Sequence, residues 1–148
     1  MPSLSSSTFR NIVRASAVYD ILLTAPFATP WSFAVLHQQL STINQHLGGI
    51  PLPAFAPFHM LIACLLGSIV LVWSALRISD TQQRFGRFDA VARMLFSIWM
   101  TWALIMTAAP LLWLFIIPEV AWGVIQCLPV RQVLASDKVS SRFQRHFG

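Results

Sequence analysis

Charge is what this sequence has least of. Of 148 residues, 10% are Asp, Glu, Lys or Arg while 56% are hydrophobic, a balance outside the range of soluble globular domains. That scarcity excludes a water-facing surface over most of the chain and points to an integral membrane protein whose constant partner is the lipid bilayer. Cysteine is also scarce: Cys64 and Cys127 both fall in apolar runs, without metal-type spacing or a disulfide framework, and read as small packing residues. No cleavable signal is expected, because Asp20 interrupts what would be its apolar core, and the first span is expected to be retained. No nucleophile elbow, phosphate-cradling glycine loop or metal-ligand pattern occurs, so neither a cofactor nor a metal is expected. The formal charge of +5 would point to nucleic acid in a soluble protein. In a membrane chain it reports topology instead, and no nucleic-acid partner is expected.

What the chain has is long apolar runs. A helical span needs roughly 20 apolar residues, and the pattern predicts an all-α, polytopic membrane protein, a bundle of four transmembrane helices forming one domain over residues 1–148. The spans are expected at about 9–29, 57–77, 88–109 and 111–128, the first capped by Ser7 or Thr8. Thr29-Pro30 is an N-cap followed by proline at the first helical position, so a new helix is expected over about 30–47. There Phe33, Leu36, Leu40, Ile43 and Leu47 fall on one stripe with polar residues elsewhere. This predicts an amphipathic interfacial or re-entrant helix; the competing reading continues the first span to about Leu36, kinked at its prolines. In the second span Ala63 and Gly67 make a small-xxx-small pair that admits a close neighbour.

Basic residues are placed asymmetrically. Arg10 and Arg14 open the first span, Arg77, Arg84 and Arg87 are assigned to the loop between the second and third, and the tail 129–148 carries four more. Residues 30–56 and the break at Pro110 carry none. The positive-inside rule then places both termini in the cytoplasm and the protein in the plasma or inner membrane, with the tail read as a solvated segment.

Three ionisable residues lie inside the spans. Ser16, Asp20 and Thr24 share one face of the first; Ala90, Arg93, Ser97 and Thr101 share one face of the third; Glu119, Gly123 and Gln126 share one face of the fourth. Counting ~1.5 Å per residue from the expected ends puts Asp20 about 16 Å and Arg93 about 8 Å from the cytoplasmic edge, and Glu119 about 12 Å from the outer edge. Asp20 and Arg93 are therefore expected to form a structural ion pair, with Asp89 competing for the same guanidinium. Glu119 is left without a cation and with hydrogen bonds to Tyr19, Thr24, Thr101 or the Leu114 carbonyl freed by Pro118.

Intramembrane ionisable residues mark functional sites by default. A conduit lined by Glu119, His59 and Tyr19, walled by Trp102, Trp113 and Trp122, would take a lipid or a small amphipathic, quinone-like molecule. Four function classes follow: an accessory or structural subunit docked on a membrane-protein partner, a binder of such a ligand, an enzyme using Glu119 and His59 as acid and base, and an oligomeric proton- or cation-coupled transporter or channel.

Overall fold

The structure, a computed structural model, describes residues 4–130. These fold into five α-helices: α1 (Ser6–Thr24), α2 (Pro30–His46), α3 (Pro57–Ser79), α4 (Gln83–Thr107) and α5 (Trp113–Cys127). Two 3₁₀ turns, Ala25–Phe27 and Pro110–Leu112, join α1 to α2 and lead into α5. No strand forms among the described residues, and the basic tail expected over 129–148 lies outside them after Val130.

Local chemistry sets the helix boundaries. Ser5, ahead of the expected Ser7 or Thr8, caps α1 by accepting from the Thr8 N–H at 3.1 Å. Pro26 has no N–H to continue the ladder, so α1 ends at Thr24 rather than near 29. Thr29 then caps α2 through the Ser32 N–H at 3.2 Å, with Pro30 in the first position. The axes on either side of this break differ by 102°, too sharp a turn for one helix kinked at its prolines and running on to Leu36. α4 starts five residues before the expected Phe88, because a helix does not stop where its apolar run stops. Arg84, Gly86 and Arg87 are thus helical, and the α3–α4 connection shrinks to Asp80–Gln82.

The helices associate as two pairs, α1 with α3 and α4 with α5, while the backbones of the consecutive helices α3 and α4 stay apart and meet through the side chains of Trp73, Arg77, Phe85 and Asp89. Within the first pair, Gly67 admits the 3₁₀ turn of residues 25–27: a Cβ at Gly67 would come within 2.9 Å of the Phe27 carbonyl carbon. Leu4 donates to the Pro129 carbonyl at 2.9 Å and Arg14 to the Thr81 hydroxyl at 3.0 Å. The start of α1, the α3–α4 connection and the end of α5 therefore gather at one end of the bundle. Arg87 also acts there, its Nη1 and Nη2 donating to the Cys127 and Leu128 carbonyls at 3.0 and 3.2 Å, which supplies partners for the open end of α5.

α2 closes the opposite end, on a face that follows the apolar stripe at Phe33, Leu36 and Leu40 and departs from it toward the C-terminal end. Ile43 and Leu47 are exposed, whereas Phe33 and Asn44 are buried. Asn44 donates to the Ile50 carbonyl at 2.8 Å and accepts from the Leu111 N–H at 3.1 Å. Buried backbone groups at chain breaks need partners, and a short amide supplies one donor and one acceptor in a single side chain.

The bundle is polar inside and apolar outside. Ser16, Asp20, Ser74, Arg77, Asp89, Arg93, Ser97 and Gln126 are buried, while Leu61, Ile62, Leu65, Leu66, Ile69 and Val72 of α3 are exposed. The stretches Pro57–Ser79, Gln83–Thr107 and Pro110–Cys127 are each long and apolar enough to cross a membrane, and a fourth crossing results if the bent pair of α1 and α2 counts as one. Because the Gly67 contact meets backbone that cannot rotate away, Gly67→Val is expected to cost about 1–3 kcal/mol. Thermal unfolding in detergent measures this, and Ser68→Val, on the exposed side of the same helix, should stay within about 0.5 kcal/mol.

Candidate functional site

Between the two helix pairs lies a network of five ionised side chains. α1 supplies Asp20, α3 supplies Arg77, α4 supplies Asp89 and Arg93, and α5 supplies Glu119. Each is delivered by the helical repeat. On α1 the buried residues Phe9, Val13, Ser16, Ala17 and Asp20 form one stripe, and on α4 Gly86, Asp89, Ala90, Arg93 and Ser97 form another.

Arg93 is the hub. Its Nε donates to Asp89 at 2.9 Å, its Nη1 to Glu119 Oε2 at 2.8 Å, and its Nη2 to both Asp20 oxygens at 2.8 and 2.6 Å. The planar guanidinium fork carries five N–H donors, enough for three carboxylates at once. Arg77, fully buried, binds Asp20 and lies 2.5 Å from Asp89. It also donates to the Ser74 hydroxyl at 3.0 Å, and its guanidinium carbon sits 5.9 Å from the centre of the Trp73 ring. Trp73 donates to Asp89 at 3.1 Å. Next to this network, Gln126 of α5 donates to the Ser16 hydroxyl of α1 at 2.7 Å, a neutral clasp between the pairs.

Two sequence expectations are corrected here. Glu119 does have a cation, Arg93, and Asp89 does not compete with Asp20 because the guanidinium serves both. The depth count fails because α4 begins at Gln83, which places Arg93 about 15 Å along its helix, level with Glu119. Arg77, expected in a loop, lies two residues inside the end of α3 with its side chain turned into the core. A signal for this exists in the chain: Gly67, Ser74 and Arg77 recur at i, i+7 and i+10, the small face of that helix.

The expected aromatic conduit is distributed otherwise. Tyr19 and Trp122 pack on each other, ring centres 6.2 Å apart. Trp102 and Trp113 are exposed. His59 is exposed in the first turn of α3, its ring 6.1 Å from that of Phe55. None of these five residues lines the two cavities that meet at Glu119. The first, about 570 Å³, is walled by Leu23, Phe27, Leu66, Trp99, Met100 and Phe115 among others, and Glu119 is its single ionisable residue. The second, about 290 Å³, lies between Ile69, Val70 and Trp73 of α3 and Ala92, Arg93 and Phe96 of α4, with Asp20, Asp89 and Glu119 lining it as well. Thr24, Phe96 and Glu119 belong to both. The two together make a slot that opens between α3 and α4 beside their contact at Asp89 and continues under Leu40 of α2 and the Pro110–Leu112 turn, with the exposed Leu66, Ile69, Phe96 and Trp99 at its lips. Phe96, Trp99 and Met100, at i, i+3 and i+4, are the sequence signal for its α4 wall. No group of His, Cys, Asp and Glu that could hold a metal ion occurs among the described residues.

Removing Arg93 would leave three buried carboxylates facing one guanidinium. Arg93→Met is therefore expected to destabilise the protein by about 3–5 kcal/mol, the cost of breaking a buried pair from one side. Glu119→Gln, at the edge of the network, should lose roughly 1–2 kcal/mol at most, since the amide oxygen still accepts from Arg93. Unfolding temperatures of the two variants in the same detergent check the order; equal losses would show that Arg93 is not the hub. The chain matches no family model, no curated protein and no solved structure, so its function is read from the chemistry of this bundle.

Proposed function

We propose that this protein is a four-span integral membrane protein of the plasma or inner membrane that binds a small amphipathic molecule in the slot between α3 and α4. The single observation that carries this reading is the first cavity: about 570 Å³ of apolar wall with one ionisable residue, Glu119, at its inner edge. Its volume falls within the range of small-molecule sites, which are largely apolar with a few placed polar groups. The slot faces the direction from which a lipid-soluble molecule would arrive, because the residues at its lips are apolar and exposed.

The topology within the membrane follows from charge. Arg10, Arg14, Arg84 and Arg87 lie at the end of the bundle where the start of α1, the α3–α4 connection and the end of α5 gather. The end closed by α2 carries no Lys or Arg in residues 25–72 or 94–130. The positive-inside rule makes the first end cytoplasmic, with α1 and its 3₁₀ turn as the first span and α2 as an interfacial or re-entrant cover over the outer end. A cysteine replacing exposed Ala54, in a background with Cys64 and Cys127 changed to Ala, is expected to react with an impermeant maleimide from outside intact cells. One replacing Gln83 should react only after permeabilisation, and the reverse pattern would invert the topology.

Of the enzyme and transport readings, neither gains a specific feature: His59 lies outside both cavities, and the charged groups are already engaged with one another. Ligand binding is tested by filling the cavity. Met100→Trp should preserve helicity and unfolding behaviour to within about 1–3 kcal/mol, while abolishing the lipid or small molecule that native mass spectrometry detects on the wild-type protein. Wild-type protein that remains empty after gentle extraction and after incubation with total lipid extract would overturn the proposal.

A further inference from the structure

The charges between the helix pairs do not balance. Asp20, Asp89 and Glu119 contribute three negative charges against the two positive charges of Arg77 and Arg93, which leaves one negative charge in excess at a low-dielectric site. All five groups contact other members of the network, and Glu119 is the one that lines both cavities, the second of which is also lined by Asp20, Asp89 and Arg93. Glu119 Oε2 accepts from Arg93 at 2.8 Å, while its Oε1 accepts from no described residue. The side chain is 13% exposed, and that exposure faces the slot.

Resting on the reading of the slot as a ligand site, we infer that its ligand is a monocation with an apolar body, a protonated amine or a quaternary ammonium, whose positive head meets Glu119. Three features of the site agree on that class. A single positive charge cancels the excess, whereas an anionic head such as a fatty-acid carboxylate would raise it and a neutral head would leave it. Phe96 and Trp73 line the second cavity beside Glu119, and aromatic faces attract cations, quaternary ammonium above all. The remaining wall, from Leu23 to Phe115, offers mostly apolar surface to the body of the molecule, with Thr24 and Thr107 its polar side chains besides Glu119.

Four amphiphiles with one chain and different heads test this on the purified full-length protein in neutral detergent, read by native mass spectrometry: dodecyltrimethylammonium, dodecylamine, dodecanol and dodecanoate. The two cations are expected to bind at least about tenfold more tightly than dodecanol, equivalent to about 1.4 kcal/mol, and dodecanoate most weakly. Glu119→Gln should bring the two cations down to the affinity of dodecanol, while Met100→Trp should weaken all four. If no amphiphile binds, the ligand-site reading itself fails. If they bind without head-group preference, or dodecanoate binds best, the slot is a ligand site but not one for cations. A preference for cations that survives Glu119→Gln overturns the cation assignment in the same way. The comparison of the four heads on the wild-type protein stands even if that variant does not fold.

Discussion

Everything in this bundle is arranged around one buried guanidinium. Arg93 reaches carboxylates on α1, on its own helix and on α5, and through Asp20 and Asp89 it is joined to Arg77 on α3. Four of the five helices thus meet in one charge network. An isolated ion at this depth would cost several kcal/mol in desolvation, and hydrogen bonds to charged groups return about 1.5–3 kcal/mol each. The network is tolerable because most of its carboxylate oxygens and guanidinium N–H groups are engaged, the buried Arg77 Nε–H and Glu119 Oε1 being the exceptions. Lysine, a point charge without the planar fork, would not hold three carboxylates on separate helices in register.

This arrangement explains why the slot exists. For the bundle in lipid, as proposed, there is no hydrophobic drive to bring helices together, and close packing and polar contacts would decide which helices touch. Small residues bring α1 onto α3 at Gly67 and α5 onto α4 at Gly123, where a Cβ would meet Met94. The charges and the Gln126–Ser16 clasp then hold pair against pair along the α1–α5 side. α3 and α4 are joined at Asp89, which takes Arg77 and Trp73 of α3, while beyond that contact Phe96 and Trp99 line the gap between them. A stabilising interaction on one side of the bundle thereby leaves an apolar cavity on the other, with the edge of the charge network as its floor. Glu119 belongs to both, which is why it serves at once as a structural partner of Arg93 and as the polar corner of the site.

Much of this is legible in the chain. The three strongly apolar helices, the polar stripes of α1, α4 and α5, and the proline-punctuated break before α2 follow from hydropathy, 3.6-residue periodicity and capping chemistry. Two departures share one cause. Hydropathy puts Arg77 in a loop and Arg93 near an edge because a charge normally ends an apolar span, whereas α3 continues two residues past Arg77 and α4 starts ten residues before Arg93. Burial among partners removes the cost that would have ended the helix. Toward its C-terminal end the buried face of α2 departs from its apolar stripe for a related reason: Asn44 has the character of a surface residue, yet it satisfies the backbone at Ile50 and Leu111.

By itself, the sequence determined the helices long and apolar enough to cross a membrane, their polar faces and the asymmetry of basic charge, because each depends on residues close together in the chain. Which charges meet, and where α3 and α4 part, was decided only by the tertiary structure. One-dimensional periodicity says which face a residue occupies but not which helix that face will meet. Depth counted from helix ends placed by hydropathy carries an error of a turn or more, the difference between Glu119 alone and Glu119 bound to Arg93 at 2.8 Å. The slot is less local still, being the space left where two apolar faces do not meet.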